Sequence, residues 1–190
     1  MPDWNSLLRD QLEWHWEHQL RSRLAGLSDD EYFWEPVAGG WSVRPRGVAT
    51  TAMAAGAGDF KIDWAFPEPD PAPFTTIAWR LGHVIVGVLA MRNAAHFARA
   101  PVDYATFSYS GTAAGALHQL EEELGWWLDG IRALGQEGLH QPCGPAEGAF
   151  AAAPLAVLVL HINRELIHHL AEVSLLRDLY AEAGMDTLRH

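Results

Sequence analysis

The chain has 190 residues, with 13 Lys plus Arg against 24 Asp plus Glu and a formal charge of -11. A single lysine, Lys61, and so acidic a surface exclude neutralisation of a nucleic-acid backbone. A hydrophobic share of 49% excludes a disordered chain, and one cysteine, Cys143, excludes an internal disulfide framework or a cysteine-rich zinc ribbon. What is high for the length is 9 Trp and 10 His.

The N-terminal text lacks the basic region and apolar run of a signal peptide, and no stretch approaches a membrane span. A single cytoplasmic domain over residues 1–190 is therefore expected. The first helix is predicted over 4–25, capped by Asp3, with Leu8, Leu12, His15 and Gln19 on one row. Ser28 and Glu31 stand in capping-box relation and predict one short helical turn.

Residues 36–74 read as an irregular strap. They hold Gly39-Gly40, a small-residue run over 49–58, and Pro67, Pro69, Pro71 and Pro73, whose spacing favours extended chain. Trp34, Trp41, Phe60, Trp64 and Phe66 are placed to pin this strap to the helices. No alternating strand pattern is present.

Thr75-Thr76 caps a second helix, predicted over 75–99, with Trp79, His83, Val86, Ala90 and Phe97 on one stripe. A third is predicted over 112–134, with Leu117, Leu120, Leu124, Trp127, Ile131 and Leu134 as its apolar seam and Gly135 as its stop. The fourth is predicted over 152–183. Four amphipathic helices of these lengths predict an all-α fold, a four-helix bundle with one long connection before the second helix.

The chemistry lies on the fourth helix. At about 100° per residue from His161, its apolar residues average near 100°, His169 falls at about 80° and Glu165 at about 40°. His168, at about 340°, points away. Glu165 and His169 thus share an inward surface, and a buried carboxylate beside an imidazole demands compensation. Two explanations are open: a Glu–His hydrogen bond tied to Arg80 or a tyrosine, or a metal site. His83, on the apolar stripe of the second helix, favours the second. His83, Glu165 and His169 together make two imidazoles and one carboxylate, a donor set for zinc first, or for nickel, iron or manganese, with coordination positions left open.

Around this set, His15 lies on the inward row of the first helix as a second partner or proton shuttle. His168 is the alternative ligand if the helix is rotated. Glu172 is positioned to accept an imidazole N–H. Arg80 either binds an anionic substrate or pairs with an acidic neighbour, and Arg44 and Arg46 are further cations for such a substrate. Trp41 either walls the pocket mouth or packs. Cys143 lacks the basic partner of a nucleophile.

Three stretches carry a family resemblance: Trp79-Arg80-Leu81-Gly82-His83, Gly39-Gly40-Trp41-Ser42-Val43-Arg44, and the Glu165-to-His169 pair followed by Leu175-Leu176-Arg177-Asp178-Leu179-Tyr180. With them the chain resembles the DinB-like family, which includes the YfiT-type proteins and mycothiol-dependent maleylpyruvate isomerase. The resemblance implies a DinB/YfiT-like bundle binding a divalent metal through His83, Glu165 and His169. The Glu-x-x-x-His form is more similar to the isomerase branch. It implies thiol-dependent transferase or isomerase chemistry on a small-molecule substrate, with a low-molecular-weight thiol such as mycothiol as cosubstrate. A metal-dependent hydrolase or a non-catalytic metal-binding stress protein are the competing expectations, and a homodimer is an assembly the family often adopts.

Overall fold

A computed structural model describes residues 2–48 and 51–187. Ala49 and Thr50, which open the small-residue run of the strap, lie outside the described residues. α1 (Trp4–His15) continues through a π-helical turn, Trp16–Leu20, into α2 (Arg21–Leu24). Asp3 caps it by accepting from the Asn5 and Ser6 amides, which offsets orphan N–H groups of the first turn. α3 (Asp29–Tyr32) begins with the expected capping box between Ser28 and Glu31.

The strap is more ordered than expected. β1 (Val43–Pro45) and β2 (Phe60–Ile62) pair antiparallel, with Val43 opposite Ile62 and both buried. Strands this short hold too few residues for alternation to show in the sequence. Asp63, wholly buried, accepts from the Ser42 amide at 3.0 Å and from Arg44 Nε at 2.9 Å. Thr76 then donates to Ser42 Oγ at 2.9 Å, tying the hairpin to the next helix start. Trp41 is buried as a pin, whereas Phe66 is 76% exposed and pins nothing.

α4 (Ile77–His83) is capped by Thr76 and passes through a second π-helical turn, Val84–Ala90, into α5 (Met91–His96). Its end precedes the predicted one, and Ala98 takes a positive φ of 57° just beyond. α6 (Ala113–Gly138) starts at its Thr112 cap, and its helical geometry breaks at Gly135 (φ 59°), where the stop was predicted. α7 (Leu155–Thr187) starts three residues later than predicted. Pro154 disfavours helix at Ala153, whose carbonyl accepts from the Cys143 amide at 2.8 Å.

α1 packs on α6 and α7, and the α4-to-α5 stretch packs on the same two. Between them Leu12, Leu20, Leu81, Leu89, Leu120, Trp127, Ile162 and Leu166 are buried to 3% exposure or less. That apolar burial is the main force holding the helices together. Asn5 adds a polar tie, donating to the carbonyls of Ile131 and of Gly135, which the helix break has freed. The all-α expectation holds. No helix among the described residues is long and apolar enough to cross a membrane.

Candidate metal centre

α4 and α7 run antiparallel, so that Arg80 meets Glu172 and His83 meets His169. His83 and His169 stand edge to face with ring centroids 4.9 Å apart. His169 Nε2 lies 3.7 Å from Glu165 Oε2. Two ligand atoms on one tetrahedral zinc are separated by about 3.4 Å when its bonds are 2.0–2.1 Å. The Glu165–His169 separation is thus close to the edge of such a site.

The far nitrogen of each ring is engaged. His169 Nδ1 donates to Glu172 Oε2 at 2.9 Å, which leaves its Nε2 with a lone pair. His83 Nδ1 is 2.7 Å from the Tyr104 hydroxyl, and His83 Nε2 has no hydrogen-bond partner among the described residues. Carboxylate or hydroxyl partners on the second nitrogen are what orient metal-binding imidazoles. Trp79 stacks on His83 at 5.4 Å and 12°, with Trp41 behind Trp79 at 6.0 Å. Trp41, 7% exposed, packs against the ring that stacks on His83.

Electrostatics keep His83 in binding form. Burial lowers the His83 pKa to about 4, so its ring is neutral. Burial pushes the Tyr104 hydroxyl up to about 12. For Glu172, burial opposes ionisation, but the His169 hydrogen bond and the Arg80 charge outweigh it and hold the carboxyl below its usual value.

The remaining predicted residues separate. His168 has a 62% exposed side chain, lies 3.5 Å from Glu172 and stands edge to face with His169 at 5.0 Å. With His169 and Glu172 it nonetheless forms a His–His–Glu cluster whose atoms lie close enough to hold a metal ion. Arg80 pairs with Glu172, the alternative to anion binding. Arg44 is committed to Asp63 and Glu35, and Arg46 to the carbonyls of Gly56, Ala57 and Gly58. His15 is half-buried, its Nε2 is without a hydrogen-bond partner, and no hydrogen bond or ion pair joins it to His83, Glu165 or His169 among the described residues. Cys143 is buried, and desolvation raises its pKa, which removes the thiolate a nucleophile needs.

Sequence reasoning missed Tyr104 and Gly87. Tyr104 sits in the connection between α5 and α6, where no periodicity assigns a direction. Gly87 has room for no side chain: a Cβ there would fall 2.0 Å from the Tyr104 hydroxyl oxygen. Gly87 belongs to the π-helical stretch after His83, and π turns occur often at functional sites.

The family model described as the DinB superfamily matches residues 48–173. No curated protein and no solved structure matches the chain.

Proposed function

Because the chain belongs to the DinB superfamily, we propose that it is a divalent-metal-dependent enzyme acting on a small molecule through His83, Glu165 and His169. One observation carries the reading: His83 and His169, from different helices, stand edge to face with each Nδ1 engaged, and the Nε2 of His169 faces Glu165 at 3.7 Å. An ion held there would supply Lewis acidity, lowering the pKa of a coordinated water or thiol near neutral pH. Zinc suits this N,N,O set, and nickel, iron and manganese are the other first-row choices. Glu172 holds the His169 tautomer, and Arg80 holds Glu172. Tyr104, with Trp79, fixes the plane of His83.

The chemistry we favour is a transferase or isomerase reaction with a low-molecular-weight thiol of the mycothiol type as cosubstrate. Its support is the Glu-x-x-x-His pair and the family, and hydrolysis is the second reading. The exposed cluster of His168, His169 and Glu172 is the alternative place for the ion. It is disfavoured because Arg80 and His169 both hold Glu172 Oε2, whereas Arg164 and His161 meet Glu165 at Oε1 and leave the Oε2 that faces His169 Nε2.

Metal analysis of tag-free protein tests the proposal. About one divalent ion per chain is expected, lost in His83→Ala and in Glu165→Ala and kept in His168→Ala. Retention in the first two, or loss only in the third, overturns the assignment. Assays of thiol conjugation and of hydrolysis then separate the enzyme readings, and inactivity in both favours a metal-binding protein without catalysis.

A further inference from the structure

A cavity of about 720 Å³ lies between α5, the segment from Cys143 to Ala153 and the first turns of α7. The size is that of a small-molecule site. It adjoins the candidate metal centre, because His161 and Arg164 in its lining reach Glu165 Oε1 at 3.5 and 3.3 Å. None of the residues singled out from the sequence for substrate binding lies in it.

Its walls are apolar and open. Phe150 is 68% exposed, Leu160 50% and Val157 46%. Its charged groups are two guanidiniums, Arg92 and Arg164, and one carboxylate, Glu147. Glu147 is already engaged: His96 Nε2 is 2.9 Å from it, and both side chains are below 10% exposure. Arg92 Nε lies 3.4 Å from the same carboxylate, is buried, and makes no hydrogen bond. Among the described residues, the hydrogen bond Arg92 does make is from Nη1 to the Gly87 carbonyl at 3.3 Å. A guanidinium has five N–H donors, so Arg92 retains unused capacity at the wall of an apolar cavity. The lining is net positive by one charge in a chain of formal charge -11.

We infer that this cavity binds an apolar organic monoanion, such as an aryl carboxylate. The carboxylate sits on Arg92, and the apolar body lies along Phe150, Val157 and Leu160 toward His161 and Glu165. A dianion such as a phosphate monoester would bring a second charge against Glu147, and the other cation of the lining, Arg164, is already turned to Glu165 and His161. That the ligand is a substrate rests on the metal-centre reading; that it binds does not.

The test is calorimetric titration of the full chain, metal-free and metal-loaded, with 2-naphthoate and with the isosteric neutral 2-naphthamide. Saturable naphthoate binding at one per chain is expected in both forms, at least tenfold tighter than the amide. Arg92→Gln should erase that difference, and Val157→Trp, at a half-exposed wall position, should abolish binding of both. No saturable naphthoate binding up to millimolar concentration, equal affinity for the amide, or undiminished binding in Val157→Trp overturns the inference. A chain that binds naphthoate but takes up no metal when it is supplied overturns the metal reading alone, and metal uptake without naphthoate binding overturns the cavity reading alone.

Discussion

His83 and His169 meet edge to face across the α4–α7 interface, their ring planes at 88° and their centroids 4.9 Å apart. Perpendicular rings direct their nitrogens along different lines, so both can converge on one point without stacking. Each is held by a hydrogen bond at its Nδ1, to Tyr104 and to Glu172. The two supports are independent and can be removed one at a time.

Glu172→Gln removes the anion that fixes His169 and frees Arg80 from its ion pair. Loss of such an orienting partner typically weakens a metal site by about 10–100-fold. Chelator competition should find that weakening with about one ion still bound at saturation. Complete loss would mean that Glu172 is itself a ligand.

Gly87→Ala places a methyl group 2.0 Å from the Tyr104 hydroxyl oxygen and 3.3 Å from His83 Nδ1. The tyrosine must leave the ring. Metal affinity should fall by about tenfold, as in Tyr104→Phe, and the double variant should be no worse than either single one, since both remove the same contact. Additive losses in chelator competition would show that Gly87 acts by another route.

Tyr32 is 1% exposed and donates its hydroxyl to the Ser110 carbonyl at 3.2 Å. Burial, with the charge of Asp29 adding to it, raises its pKa well above the ordinary 10.0. The folded chain therefore keeps a proton that the unfolded chain releases, and this contribution to stability is lost as pH rises above about 10. Urea denaturation from pH 8 to 11 should show stability falling less steeply in Tyr32→Phe than in the wild type. At pH 8 the same variant should be weaker by about 0.5–1.5 kcal/mol for the missing hydrogen bond.

Asp63→Ala leaves Arg44 with Glu35 and the Gly40 carbonyl and strands the buried Ser42 amide. Removing one partner of a buried ion pair costs about 3–5 kcal/mol. Urea midpoints measure it, and limited proteolysis should place the new cleavage in the strap between β1 and β2. A change below about 1 kcal/mol would show that the hairpin is held by apolar contacts instead.

Much of the helical layer was legible because burial imposes a period. Leu155, Leu158, Ile162, Leu166, Val173 and Leu176 are all buried, as their 3.6-residue spacing predicts. The same angle arithmetic left the His168 side chain 62% exposed and that of His169 17% exposed. It failed where geometry departs from the regular α-helix. The π turn at Val84–Ala90 shifts the faces after His83, and α5 ends at His96, before the predicted end at Arg99. The hairpin of β1 and β2 was invisible, since three residues per strand carry no periodic signal.

The sequence by itself determined what depends on local order: caps at Asp3, Ser28 and Thr76, the seams of the helices, and the placing of Glu165 and His169 one helical turn apart. These follow from backbone geometry acting over three to five residues. The tertiary structure alone decided which groups from distant segments meet. Tyr104 reaches His83 from a loop, Glu172 orients His169 while paired to Arg80, and Arg92 lines a cavity with Val157. Such pairings arise from the packing of whole helices, and no local spacing encodes them.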